Sequence, residues 1–495
     1  MLKARNLIGK MSLPARYLPG VNRSMTKLDK SSFTKTIPLV VVSFPDPKNI
    51  SVFSSCFKDE ILRIPRIPHV IKLNTSEENS DAAQEPPLKK KTVANDNHVI
   101  KGILLKDSVT SVDDVALQLS LDAQEFLRSA NAEVIGYDYK LNYDFYKAEE
   151  ILKAILPEEY LDEVPSGFTV TGHIAHLNLR KEFKPFGALI GQVILDKNRQ
   201  IETVVDKVDS IATKFRTFEM KVLAGRDDLL VTQKESNCSF TFNFSKVYWN
   251  SRLHTEHERL VRAFKPGQVV CDVFAGVGPF AIPGGKKEVF VLANDLNPES
   301  YNFMCTNIKD NKVEQFVKPN NLDGKHFINK SPLLLQEWIA ETSGKIVVPD
   351  AKKYKNKTTG KIELPPPRNV ILPKHIHHYV MNLPDSALSF LSEFVGLYSR
   401  HGMTLTSTFS DADFTLPWIH CHCFEKYEPE ESPEPTMEIL HDRIYNRILK
   451  IMDTNKDVLQ RDGFSYHLVR KVAPTKPMFC VSFQLPQSLA FKEYI

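Results

Sequence analysis

A chain of 495 residues is longer than one ordinary domain, so two or three folded units are expected. With 42% hydrophobic and 25% charged residues it has a soluble globular composition, and no apolar run reaches the roughly 18 residues that suggest a membrane span. Lys and Arg exceed Asp and Glu by only four, which neither requires nor excludes a nucleic-acid partner, because binding needs a local patch and not a large global charge. Seven cysteines, at 56, 238, 271, 305, 421, 423 and 480, form no disulfide framework and fit a reducing compartment.

Residues 1–29 carry six basic residues and no acid before Asp29. They read either as a mitochondrial transit peptide or as a disordered basic leader, with Met11 and Met25 as later starts. A protein made with and without this leader would reach the mitochondrial matrix and also the cytoplasm or nucleus. A small N-terminal domain is expected over 30–135, interrupted by the polar, Pro-bearing stretch 73–98, which reads as a disordered insert. Residues 136–250 read as an α+β domain, with a helix near 144–156 followed by the alternating run "FTVTGHIAHLNL" and the apolar run "GALIGQVIL". From 251 to 495 strands (268–274, 288–294, 314–318, 376–382) alternate with helices (255–264, 298–310, 386–398), the pattern of a parallel α/β sheet. A second polar insert, 343–369, is expected to loop out of this domain. "WIHCHCFEK", a long helix near 434–453 and two last strands, "YHLVRKV" and "MFCVSFQL", complete the chain. A closing hairpin is foreign to dinucleotide domains and suits methyltransferase sheets.

The stretch "CDVFAGVGPFA" satisfies G-x-G-x-x-A at Gly276 and Gly278, and Asp295 follows 19 residues after Gly276, so a nicotinamide dinucleotide and S-adenosyl-L-methionine both remain open on the turn alone. Three further features favour S-adenosyl-L-methionine. Asp272 precedes the turn, where it would face a cationic methionine end and repel a pyrophosphate. Asp323 and Gly324 follow the third strand, where an acid can accept from an adenine amino group. "MNLPD", with Asn382, closes the fourth strand. All lie at strand ends, on the face where such sheets bind ligands.

"TGHIAHLNLR", "FEMKVLAG", "SKVYWNSRLHTEHERL", "DVFAGVGPFAIP", "ANDLNPESYNFM", "NNLDGK" and "MNLPDSALSFL" together resemble the archaeal and eukaryotic tRNA (guanine-N1)-methyltransferases that modify guanosine 37 beside the anticodon. The resemblance runs from about residue 136 to the end, apart from the insert, and covers the N-terminal third only loosely. It implies a class I methyltransferase domain with a Rossmann-like sheet and C-terminal antiparallel hairpin, preceded by an α+β domain and a small domain that checks the tRNA outer corner. It further implies a monomer that uses S-adenosyl-L-methionine and no metal, supports reading-frame maintenance and makes the precursor for wybutosine. Position by position, the resemblance puts the base that takes the guanine N1 proton at Glu256 and the cation for charge on O6 at Arg216. Tyr248 and Arg252 fall where target base and RNA backbone are held; His257, Asp295, Leu296, Asp323, Gly324 and Asn382 fall at cofactor contacts, with Asn382 also near the target base. Asn382-Leu-Pro-Asp385 lacks the aromatic of amino-directed enzymes, so base stacking falls to another residue such as Tyr248.

Locally, "TEHE" reads as a capping box with Thr255 as N-cap and Glu258 as its partner, which would put Glu256 in the first helical turn, where the dipole favours an ionised carboxylate. "KHIHH" and "IHCHC" invite zinc, but no C-x2-C spacing accompanies them and buried strand residues are the better reading. "NLRKEFK" and "KFRTFEMK" offer basic residues with interleaved Phe for a tRNA path, or plain solvated faces. The rival functions are the wybutosine-pathway aminocarboxypropyltransferase acting on the same tRNA region, an NAD-dependent oxidoreductase, and a non-catalytic tRNA-binding protein.

Overall fold

The computed structural model describes residues 12–73, 100–165, 167–208, 215, 217, 219–348, 354–355, 362–363, 367–404 and 414–493. They belong to two compact units, Met1–Gly167 with Leu179–Arg199 and Phe168–Asn178 with Gln200–Ile495.

The first unit is built on an antiparallel sheet of β1 (Lys35–Ser43), β2 (Val70–Leu73), β3 (Ile100–Leu104) and β4 (Glu133–Leu141), in the order β2-β3-β1-β4. Val40 and Val42 pack with Phe44, Phe53 and Ile103 in its core. The chain enters this unit well before residue 30. Leu13, Tyr17 and Met25 are buried, the Arg16 guanidinium pairs with Asp107 at 2.9 Å, and the Asn22 amide donates to the Ala154 carbonyl at 2.9 Å. The expected leader therefore becomes part of a folded body from Leu13 onward. The insert expected at 73–98 lies, beyond Leu73 at the end of β2, outside the described residues. Residues 136–250 are divided between the units: α4 (Ala148–Ile155) and α5 (Gly187–Lys197) belong to the first, and the four-stranded sheet of β5 (Thr169–Thr171), β6 (Ile174–Leu177), β7 (Thr203–Lys207) and β8 (Met220–Gly225) to the second.

The second unit centres on seven strands: β11 (Val269–Asp272), β12 (Phe290–Asn294), β13 (Val317–Asn320), β18 (His378–Met381), β19 (Trp418–Phe424), β20 (Ser465–Ala473) and β21 (Lys476–Gln484), in the order β13-β12-β11-β18-β19-β21-β20. The first five run parallel, and β21 is antiparallel to both its neighbours, β19 and β20. "VVCD", "FVLAN" and "HYVM" are buried along their whole lengths, as befits strands covered on both faces. The strand order reverses between β11 and β18, so the crevice at their C-terminal ends is the topological switch point where such sheets bind ligands.

Three elements differ from expectation. A 19-residue helix, α9 (Gly324–Thr342), follows β13 where none was predicted. The segment expected as a helix over 386–398 is a 3-10 turn over Ala387–Phe394. The insert 343–369 is anchored by an antiparallel ribbon of β14 (Lys345–Val348) and β17 (Arg368–Ile371), with the short pair β15 (Tyr354–Lys355) and β16 (Ile362–Glu363) between them.

Candidate active site

The switch point is polar and partly unsatisfied. Asp272, the last residue of β11, is wholly buried, and no hydrogen bond of good geometry reaches either carboxylate oxygen. Burial, then the nearby Asp295 carboxylate, raises its pKa to about 8, with partial relief from the Phe274 amide and His422. A buried carboxyl without a partner is costly unless a ligand supplies one. At the end of β18 the side-chain carbonyl of Asn382 is likewise buried and unpaired.

The glycine turn between them is backbone-determined. Gly276 (φ +56°) and Gly278 (φ +98°) adopt conformations that side chains disfavour. The Gly276 amide donates to Asp295 Oδ2 at 2.8 Å, and Asp295 Oδ1 accepts from the Asn297 amide at 2.9 Å, so Asp295 ties the end of β12 to the turn. Burial raises the Asp295 pKa, and these two amides oppose the shift. The Asn321 side chain donates to the carbonyls of Asp295 (2.7 Å) and Leu296 (3.2 Å), fixing that loop. Asp323 caps α9 through Oδ1 on the Lys325 amide at 2.9 Å. A Cβ on Gly324 would lie 2.8 Å from Phe274 and 3.0 Å from Phe390, whose rings meet edge to face, so only glycine fits that cradle.

Glu256 is the most heavily engaged group. It lies in the first turn of α6 (His254–Ala263), as predicted, and its side chain is 1% exposed. The predicted capping box is absent: α6 starts at His254, directly after the 3-10 turn Ser251–Leu253, whose cap is Asn250 accepting from the Arg252 amide at 3.2 Å. Glu258 instead pairs with Arg262 one turn on, at 2.5 Å. Arg259 donates to both Glu256 oxygens (2.6 and 2.7 Å), and His422 Nε2 to Oε1 at 2.7 Å. Burial pushes the Glu256 pKa upward, but Arg259 and then His422 overrule it and hold the carboxylate at about 2. Burial opposes a charge on His422; the Cys480 sulfur and Glu256 prevail and lift its pKa to about 10. A fixed, ionised carboxylate results.

The remaining predicted residues are scattered around this centre. His257 is buried with Nδ1 at 2.6 Å from Glu235, its ring edge-on to Phe280. Tyr248 is 51% exposed, and Arg252 is exposed with a 3.3 Å bond to Thr169. Arg216, with most of "KFRTFEMK" up to 218, lies outside the described residues; in "NLRKEFK", Arg180 is taken up by Glu163 and Glu182. On β19, His420 bonds Ser482 at 2.7 Å and His378 at 3.1 Å, while His422 serves Glu256. Among the described residues, metal-capable atoms converge at Glu256, His422 and Cys480, but the guanidinium on the carboxylate and the proton on His422 make that group an ion-pair cluster. Prediction missed Arg259, His422, His467 and Asn294. Asn294, buried at the end of β12, bonds the Val273 carbonyl (3.1 Å) and both the amide (2.9 Å) and carbonyl (3.0 Å) of Leu322; an asparagine closing an apolar strand was its one signal.

Comparison with known proteins adds to the geometry. A family model described as the TYW2 N-terminal domain matches residues 148–228, and one described as the TRM5/TYW2 methyltransferase domain matches 231–336. The tRNA (guanine(37)-N(1))-methyltransferase of Saccharomyces cerevisiae is 57% identical over 97% of this chain and 96% of its own length. Those of Candida albicans (49% identical, 97% and 99% covered) and Schizosaccharomyces pombe (42%, 94% and 95%) are similar throughout. Among solved structures, the complex of aTrm5 and tRNALeu superposes with a TM-score of 0.51 at 18% identity, covering 90% of this chain and 99% of that one, which establishes a shared fold.

Proposed function

The chain belongs to the tRNA (guanine(37)-N(1))-methyltransferase family, and on that premise we propose that it transfers the methyl group of S-adenosyl-L-methionine to N1 of guanosine 37 in tRNA, with Glu256 as the base. The observation that carries this reading is the pair of buried, unpaired acceptors at the switch point, Asp272 and Asn382. A ligand with a cationic end and hydrogen-bond donors fits them, and the space beside Gly276, where a Cβ would meet nothing within 4 Å, lets such a ligand approach the turn. S-adenosyl-L-methionine supplies an electrophilic methyl group. Everything else falls to the chain: Asp272 faces the cationic end, His257, Leu296, Asp323 and Gly324 bound the nucleoside, and Asp295 shapes the turn.

Guanine N1 carries a proton and is a poor nucleophile until that proton leaves. Glu256 is ionised before substrate arrives, the form a base must start in. Asn382 lies near the target base, Tyr248 and Arg252 are exposed to hold base and RNA backbone, and Arg216 meets the charge on O6. The proposal extends to a monomer that acts in the mitochondrial matrix as well as the cytoplasm or nucleus.

The test is transfer from labelled S-adenosyl-L-methionine to tRNA transcripts bearing G or A at position 37, followed by nucleoside mass analysis. N1-methylguanosine formed only with G is expected. An aminocarboxypropyl adduct would overturn methyl transfer.

A further inference from the structure

Three neighbouring strands each contribute one side chain at the start of α6. In the ladder, Cys480 on β21 lies opposite His422 on β19 and also opposite His467 on β20, so the three share one face of the sheet. Glu256 and Arg259 of α6 meet that face. His422 has no exposure and Glu256 has 1%, but the His467 side chain is 46% exposed and its Nε2 lies 3.5 Å from Glu256 Oε2. Arg259 also reaches solvent, yet a guanidinium has no lone pair with which to accept a proton.

We propose that His467 takes the guanine N1 proton on from Glu256 and delivers it to solvent, an inference that rests on Glu256 being the base. A carboxylate clamped by two cations is a poor resting place for a proton from so weak an acid as guanine N1, so methyl transfer gains from a second, stronger acceptor. The groups facing His467 are Glu256, Arg259, His422 and Cys480; burial and then Arg259 lower its pKa, which keeps the imidazole neutral and able to accept. With its own proton on Nδ1, a neutral imidazole presents a lone pair to Glu256, and no hydrogen joins the two, in keeping with the 3.5 Å separation. The steps balance. The proton leaves N1 for Glu256 Oε2 as the N1 electron pair forms the bond to the methyl carbon and the carbon–sulfur bond of the donor breaks, its pair staying on sulfur as a neutral thioether; the new Oε2–H passes its proton to His467 Nε2; Nδ1 then releases a proton to water.

His467→Ala and His467→Gln are compared with the unaltered enzyme in single-turnover methyl transfer to tRNA, with and without added imidazole, alongside Glu256→Gln. Both His467 variants are expected to bind tRNA normally and to lose at least about tenfold in rate. Imidazole restores His467→Ala in proportion to its concentration and leaves the unaltered enzyme unchanged. Wild-type rates in either variant, or a loss that imidazole does not repair, overturn the relay. If Glu256→Gln is inactive while the His467 variants are not, the relay alone fails; if Glu256→Gln retains the rate, the assignment of the base fails with it.

Discussion

Replacing His422 by Phe keeps a ring on β19 and removes the imidazolium that faces Glu256. Glu256 is then left to Arg259, whose side chain is 35% exposed and so better screened by water. Removing one partner of a buried ion pair costs about 3–5 kcal/mol; with Arg259 still in place, about 3 kcal/mol is expected, or a fall in melting temperature of roughly 5 °C for a unit of this size. The two shifts share the Glu256–His422 contact, with Arg259 also acting on Glu256 and Cys480 on His422, and are not added. The folded His422 pKa is raised from 6.5 to about 10, so its contribution is complete below pH 6.5 and is lost as pH rises to about 10. The Glu256 pKa is lowered from 4.5 to about 2, so its contribution is complete above pH 4.5 and is lost as pH falls toward 2. Thermal melts of both proteins across this range should therefore differ most between pH 4.5 and 6.5 and converge toward pH 10. A gap of equal size at pH 6 and pH 10 would mean that shape and not charge was lost, and would refute the ion-pair account. In the same variant the acid limb of the methyl-transfer rate should move to higher pH, because Glu256 loses a cation that holds it ionised.

Asp272 has its pKa raised to about 8 in the ligand-free protein, and a cationic ligand needs it ionised, so the affinity for S-adenosyl-L-methionine should rise with pH up to about 8 and Asp272→Asn should bind weakly at every pH; calorimetry would show it, with proton release on binding below pH 8. Gly324→Ala drives a methyl group into Phe274 and Phe390, and an overpacking cost of about 1–3 kcal/mol should appear as a lower melting temperature together with weaker cofactor binding. Starting the chain at Met25 deletes Tyr17, the Arg16–Asp107 pair and the Asn22 bond to Ala154, and should destabilise the first unit in a protease-sensitivity assay.

The strands of the large sheet were legible because burial on both faces demands continuous apolar runs, and "VVCD" and "FVLAN" contain little else. The glycine turn was legible because positive φ excludes most side chains. Helix α9 was hidden by Pro332, which reads as a breaker. The chain makes it tolerable locally: proline cannot donate to the Ile328 carbonyl one turn back, and the Ser331 hydroxyl donates there instead at 2.8 Å. The N-cap of α6 was misplaced by two residues because "TEHE" matched a cap, while the cap in use was Asn250 on the preceding 3-10 turn.

The surroundings of Glu256 were out of reach for a different reason. Arg259 is three residues away on the same helix, a spacing a sequence does show, but it becomes a clamp only because Glu256 turns inward. His422 is 166 residues distant, and alternation along "IHCHC" correctly made it a strand residue without saying what lay across from it. Its partner is set by where α6 crosses the sheet, a tertiary fact. The same crossing gives the closing hairpin a purpose beyond completing the sheet: β21 and β20 bring Cys480 and His467 up to a carboxylate that β19 alone would leave with His422 on one side and water on the other. A sheet ending at its last parallel strand would leave Glu256 its Arg259 and His422 partners, which hold the carboxylate at about 2, but would take away the cover that keeps this cluster out of water. The antiparallel end of the sheet thus shields a charge that α6 and β19 fix, and adds His467, which like Arg259 has substantial exposure.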